Sequence, residues 1–168
     1  MAPGSAGPRA CVVRPAGAGD VGSLARLRSI SASESSGIDE VDAAADEGFV
    51  HRFAGWHAAE PHRWFWIAEI GDAPVGMLNM LEFVRMPRPA QPESRWGYIA
   101  NVFVLPAHRD AGVGRGLLTA AVDWAHARDY ARVVLSPSPR SVPLYARLGF
   151  RPATSLMVLQ VGPSEDRL

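Results

Sequence analysis

Apolar and polar positions change their spacing along the chain, and each change predicts an element. A short β-rich run at Cys11–Arg14 reads as a strand. Asp20 then stands as an N-cap before a helix with Val21, Leu24 and Leu27 on one face. Val41, Ala45, Phe49, Phe53 and Trp56 recur at steps of four and three, which predicts a second amphipathic helix that ends before Pro61. Two amphipathic helices so early need a surface to cover.

That surface follows. Trp64–Ile70 and Val75–Val84 are rich in β-formers and flank the turn signal Gly71-Asp-Ala-Pro74, which predicts a hairpin. Residues 86–95 hold three prolines and form a loop long enough to line a substrate mouth. Gly97–Leu105 is a further strand, able to pair antiparallel with its predecessor. A helix with Val113, Leu117, Ala121 and Trp124 on one face leads to a strand at Arg132–Ser136, a succession that implies a right-handed parallel crossover. Pro143–Leu148 predicts a short helix with Gly149 just past its end, and Met157–Val161 a last strand. The class is α+β: a mixed, mostly antiparallel sheet with flanking helices.

The chemistry concentrates where the strand before Pro106 meets the helix from Val113. Arg109-Asp110-Ala111-Gly112-Val113-Gly114 is a glycine loop between them. A strand end and a first helical turn bring unpaired backbone N–H groups to one point, and the helix dipole adds to their pull on an anion. Gly112 and Gly114 permit backbone angles that a β-carbon obstructs, and Arg109 offers a guanidinium fork. A pyrophosphate suits such a loop. Taken alone, a pair of glycines after a strand also makes a plain tight turn.

Composition narrows the setting. At 168 residues the chain suits one domain, expected over 11–161, with a Gly/Pro/Ala-rich leader at 1–10 and a tail at 162–168. Seventeen basic and seventeen acidic side chains cancel, so no nucleic-acid footprint is expected, and no run reaches transmembrane length. The lone Cys11 excludes an internal disulfide framework and points to the cytoplasm. His51, His57, His62, His108 and His126 lack metal-ligand spacing, so no metal is expected. Trp64 and Trp66 share one side of their strand and read as packing groups, or as one wall of an acceptor pocket. Glu34, Asp39, Glu40, Asp42, Asp46 and Glu47 make the early helical region acidic, which fits a solvated face or attraction of a cationic amine.

Three segments together resemble the GCN5-related N-acetyltransferases (GNAT). Trp66-Ile-Ala-Glu69 through Gly71-Asp-Ala-Pro-Val75-Gly76 looks like the family's hairpin between its second and third strands. Val102-Phe-Val104-Leu-Pro106-Ala-His-Arg109-Asp-Ala-Gly112-Val-Gly114 is similar to its acetyl-coenzyme A signature. Pro143-Leu-Tyr145-Ala-Arg-Leu148-Gly149-Phe150 is similar to its tyrosine-bearing helix. The resemblance spans about residues 11–161, with the segments in the family's order, and implies the GNAT fold with a splayed parallel strand pair.

It also implies an acyltransferase that moves the acetyl group of acetyl-CoA, its cosubstrate, to a primary amine of a small molecule or protein by direct attack in a ternary complex. Main-chain groups of Val102, Phe103 and Val104 are then expected at the pantetheine arm, and the segment Arg109, Asp110, Ala111, Gly112, Val113, Gly114 and Arg115 at the pyrophosphate. Tyr145 stands where a tyrosine protonates the departing thiolate. Two positions depart from the pattern. Ala100 replaces a strand glutamate, which leaves Glu82 as a candidate base beside a water route, and Ser138 replaces an asparagine at the pantetheine amide. Arg140 faces substrate, cofactor phosphates or solvent. A homodimer is plausible. The missing strand glutamate also fits an alternative, an acetyl-CoA-binding regulatory or sensing module.

Overall fold

The computed structural model describes residues 10–36, 47–159 and 161. They fall into two compact units, one ending at Val134 and one beginning at Leu135. The leader to residue 9, the tail from 162, and Val41 and Ala45 lie outside the described residues.

The first unit is built on a sheet of order β1-β2-β3-β4-β5. β1 (Cys11–Pro15), β2 (Arg63–Ile70), β3 (Ala73–Val84) and β4 (Arg95–Val104) run antiparallel to their neighbours. β5 (Val133–Leu135) lies parallel to β4, and the approach to it is fixed by bonds from Gly97 N to Arg132 O and from Ala131 N to Arg95 O. This is the expected mixed α+β architecture.

Helices cover both faces of the sheet, and the strand sequences reflect that. Phe65 to Ala68 in β2 and Val75 to Met80 in β3 are buried without a break. A strand covered on one face alone would alternate with polar residues. On one face, α1 (Val21–Ser36) brings Leu24, Ala25 and Leu27 and α2 (Glu47–Ala58) brings Phe53 onto Phe65, Ile67, Met77 and Phe103. On the other lies α3 (Val113–His126), with Leu117, Leu118 and Ala121 fully buried. Trp124 of α3 meets Trp64 at 4.6 Å and Trp66 at 5.6 Å between ring centres. Both tryptophans are therefore packing groups and neither is a pocket wall. At the β3–α3 contact the chain needs Gly76, since a β-carbon there would come within 3.0 Å of Phe103 O and 3.2 Å of Leu117 Cδ1.

One irregularity in β4 sets up the site. Asn79 pairs with Asn101 but Met80 pairs with Ile99, so Ala100 is an extra residue, a β-bulge. Before the bulge Gly97 faces the α3 side, where its β-carbon would run into Met80 and Tyr130. After it, Phe103 faces the α1 and α2 side.

Asp20 differs from its expected role. It closes a 3-10 turn (Ala18–Asp20) and its carboxylate turns back to accept from Gly17 N at 2.7 Å and from the Arg14 guanidinium at 2.7 and 2.8 Å. The hydrogen bond from Arg14 holds its pKa down to about 2. Arg14 also binds Glu69, so this cluster ties β1 to β2 ahead of α1.

The second unit holds α4 (Val142–Arg147), which ends as expected at Gly149, with φ 90° and Phe150 N donating to Tyr145 O. The strand expected at Met157–Val161 is not formed over its described residues. Met157, Val158 and Leu159 are exposed and in no ladder. Alternation marks a strand only where a neighbouring strand takes up its backbone bonds.

Candidate active site

β4 presents its backbone in two directions. Leu105 N donates to Val75 O, and Phe103 lies two residues earlier in register with Met77. In an antiparallel ladder alternate residues point to the same neighbour, so the N–H and C=O of Phe103 also turn to β3. Those of Val102 and Val104 turn to the other edge. The expectation of three main-chain contacts for pantetheine thus narrows to Val102 and Val104, and Phe103 serves through a buried ring in the core.

Beyond β4, a 3-10 turn (Pro106–His108) leads into the glycine loop. Asp110 has φ 61° and Gly112 φ 83°, two left-handed residues that fold the chain sharply before α3. Gly112 is the N-cap of α3, Gly116 N closes the first helical bond to its carbonyl, and no side chain caps this end. The first amides of α3 therefore have no intrahelical acceptor. A β-carbon on Gly112 would meet nothing within 4 Å, so open space lies beside these amides.

The Arg109 side chain departs from its expected place. Its Nε donates to Val104 O at 3.0 Å, and Nη1 and Nη2 grip both carboxylate oxygens of Glu34 in α1 at 2.7 and 2.6 Å. It does not reach out as a fork for phosphate, because a carboxylate 75 residues away in the chain claims it. Arg109 instead ties the end of α1 to the end of β4.

On the α1 and α2 side of the sheet lies a cavity of about 440 Å³. Its helical wall is Arg28 from α1 and Phe49, Arg52, Phe53 and Trp56 from α2. Its floor is Arg63 and Phe65 of β2, Met77 and Asn79 of β3, and Ala100 and Asn101 of β4. The bulge turns both Ala100 and Asn101 into it. Arg63 is held rigidly, its Nε on Glu60 and its Nη1 on Asn79 Oδ1, each at 2.9 Å, with its guanidinium 5.1 Å from the Trp56 ring centre. Asn101 Oδ1 is buried with no hydrogen-bond partner.

Glu82 does not line this cavity. It falls in step with Leu78 and Met80 on the α3 side, where its carboxylate accepts from the Tyr130 hydroxyl and lies 3.6 Å from His62 Nδ1 and 3.7 Å from Arg95 Nη1. Burial, with the bond to Glu82 next, pushes the Tyr130 phenol well above its usual range. The expectation that Glu82 faces the pocket is thus corrected by the period of two along β3.

Sequence reasoning passed over the cavity arginines. Their signal was weak: single arginines in an amphipathic helix or at a strand start read as solvated charge. Of the helical wall, the apolar spacing marks only Phe49, Phe53 and Trp56, as one stripe.

In the second unit Tyr145 is half-buried, its ring 5.8 Å from Phe150. Burial raises its pKa above 10, and a hydrogen bond with the Ser141 side chain pulls the other way. Ser138 Oγ lies 3.0 Å from Ser141 Oγ, which also donates to Ser138 O. Arg140 is exposed.

The family model described as "Acetyltransferase (GNAT) family" matches residues 25–150, three-quarters of the sequence. The chain belongs to this family. It is by family an acyltransferase, and the family's acyl donor is acetyl-CoA. A glucosamine 6-phosphate N-acetyltransferase of Trypanosoma brucei brucei is 36% identical over 55 residues, which span 33% of this chain and 37% of that enzyme. The match thus reaches little more than a third of that relative's length. A GCN5-related N-acetyltransferase of Ralstonia eutropha JMP134 superposes with a TM-score of 0.66 at 28% identity, covering 91% of this chain and 100% of the other. A predicted acetyltransferase of Clostridium acetobutylicum, solved with acetyl-CoA, does so with a TM-score of 0.67 at 21% identity over 90% and 96% of the two chains.

Proposed function

We propose that this protein transfers the acetyl group of acetyl-CoA to a primary amine of a small molecule by direct attack within a ternary complex. The observation that carries the reading is the course of β4. Within five residues it passes from the cavity, at Ala100 and Asn101, to outward backbone groups at Val102 and Val104, and the uncapped glycine loop follows. One strand thereby serves both an acceptor and an acyl donor.

The donor fits what the chain offers. The outward groups of Val102 and the N–H of Val104, whose carbonyl already accepts from Arg109 Nε, suit the amides of a pantetheine arm, and the amides from Asp110 to Arg115 beside the open space at Gly112 suit a pyrophosphate. Ser138 is proposed as a further hydrogen-bond donor to the pantetheine. Acetyl-CoA, when bound, supplies the activated thioester. The chain supplies position: an amine held in the cavity next to β4 gains the advantage of an oriented, effectively unimolecular attack.

In the transfer an N–C bond forms and the C–S bond breaks, while the amine loses a proton and the thiolate gains one. We assign the second proton to Tyr145, supported by its place in the motif and by a raised pKa that keeps the phenol protonated at neutral pH. For the first, Ala100 has no group to offer and Glu82 lies across the sheet, so we route the amine's proton to water at the cavity mouth.

Thiol release from acetyl-CoA, measured with pools of primary amines, tests the reading. Release together with an acetylated amine is expected. Binding of acetyl-CoA without release in any pool would leave the sensing-module reading, which Ala100 and the turned-away Glu82 favour.

A further inference from the structure

We infer that Asn101 binds the reacting nitrogen: its side-chain oxygen accepts an N–H of the amine held in the cavity and thereby fixes the direction of the nitrogen lone pair. This rests on the reading of the cavity as the acceptor site. Asn101 lines that cavity, and its Oδ1 is buried without a hydrogen-bond partner. A carboxamide oxygen accepts and never donates, so what it lacks is a donor. A primary amine brings N–H donors.

The strand floor of the cavity sets this oxygen apart. Two carboxamides meet there across the β3–β4 ladder, Asn79 opposite Asn101. Asn79 Oδ1 accepts from Arg63 Nη1 at 2.9 Å, and Glu60 holds the same guanidinium through Nε at 2.9 Å, so Asn79 is committed to the fold. Asn101 Oδ1 is not. An unpaired buried acceptor costs stability, and native chains keep few of them. Where a chain keeps one, a functional site is the expected reason.

The place of Asn101 says which function. It is the second of two residues that the bulge turns into the cavity, and the next residue, Val102, already presents its backbone to the edge proposed for pantetheine. Ala100 brings no polar side chain to that junction. The χ2 torsion of an asparagine is soft and roughly two-fold, so the amide swings its oxygen to a ligand without moving β4. With the body of the amine set by the cavity walls, one N–H held on Oδ1 stops rotation about the C–N bond and so aims the lone pair. This is the orientation that an effectively unimolecular attack requires. The amide takes no proton. It aligns the nucleophile and leaves deprotonation to water.

The test replaces Asn101 with leucine, which keeps the branched shape and removes both polar atoms, and uses phenethylamine, glucosamine and agmatine as acceptors. In Asn101→Leu, kcat/KM for the amine is expected to fall about tenfold or more, the worth of one well-placed hydrogen bond. Affinity for acetyl-CoA should hold, and the melting temperature should stay or rise, because an unpaired acceptor is gone. A carboxamide does not titrate, so the pH profile should keep its shape at a lower height. Asn101→Asp retains an oxygen at the same place and is expected to recover most of the loss above neutral pH. Unchanged kcat/KM in the leucine variant overturns the inference, and so does a loss that the aspartate variant fails to recover. Weaker acetyl-CoA binding would move Asn101 to the donor site, and a profile of altered shape would move it to the proton route; either result also overturns it. Should the wild type acetylate no amine although it binds acetyl-CoA, the proposed function fails on its own. Calorimetric binding of the same three amines then decides the hydrogen bond, with wild-type affinity no greater than that of Asn101→Leu overturning it.

Discussion

At Gly112 the backbone adopts φ 83° with open space where a side chain would go. A substitution there meets no steric wall, so its cost is conformational: Gly112→Val is expected to lose about 1–2 kcal/mol of stability, the cost of a left-handed L-residue. It should also weaken acetyl-CoA binding, because the amides of α3 would be re-aimed. Asp110 already carries comparable strain at φ 61°. Asp110→Gly relieves it while adding unfolded-chain entropy, and is expected to change stability by less than about 0.5 kcal/mol. Denaturant melts with calorimetric titration of acetyl-CoA read both, and full affinity in Gly112→Val would remove the loop from the donor site. At Tyr145 the prediction is kinetic. Tyr145→Phe keeps the ring against Phe150 and removes the hydroxyl, so kcat is expected to fall on the order of 10²-fold, with the melting temperature nearly unchanged. An acid must be protonated to act, and burial raises this phenol above 10. Wild-type kcat should therefore hold through the neutral range and lose this acid only on the alkaline side of a free phenol's titration, while the Phe variant lacks that alkaline limb. Unchanged turnover would end the acid assignment.

The elements differ in how far the sequence announces them. β2 and β3 were readable because Gly71-Asp-Ala-Pro74 separates two dense runs of β-formers, and the crossover because its helix has a clear apolar face. The bulge at Ala100 was not, since one extra residue in an apolar strand leaves no trace in composition, yet it turns Ala100 and Asn101 together into the cavity. The partner of Arg109 was equally hidden, because a contact across 75 residues has no local pattern. The motif marks the loop, but the phosphate-facing fork expected of Arg109 is instead closed on Glu34 and Val104 O. That closure predicts a coupling between α1, which carries Arg28, and the end of β4. Glu34→Gln leaves the glycine loop's own residues intact but loosens Arg109, one bidentate pair at the surface worth about 1 kcal/mol or less. Both KM for acetyl-CoA and KM for the acceptor are expected to rise, by about fivefold or less. A rise in one alone would show that α1 does not link the two sites.

Across the first unit as a whole, the sheet divides two kinds of interior. One face holds the arginine-lined cavity under α1 and α2, and the other holds the aromatic packing of Trp64, Trp66 and Trp124 under α3. A residue's place in β3 decides which it serves. Asn79 faces the cavity and holds Arg63, whereas Glu82, three residues on, joins Tyr130, His62 and Arg95 on the far side. Its side chain is 7% exposed there, so its carboxylate is a structural acceptor whose loss is felt in stability. Glu82→Gln keeps an oxygen for the Tyr130 hydroxyl but gives up the charge facing Arg95, and is expected to cost about 1–3 kcal/mol. For a chain of this length that is a fall of several degrees in melting temperature. The rate of acetyl transfer at limiting amine, measured well below the melt, is expected to stay at the wild-type value. The two readouts separate the possible roles: a tie between strands moves the melt and spares the rate, and a base does the reverse. A rate loss of tenfold or more with an unshifted melt would return Glu82 to the chemistry and reject the partition of functions between the two faces.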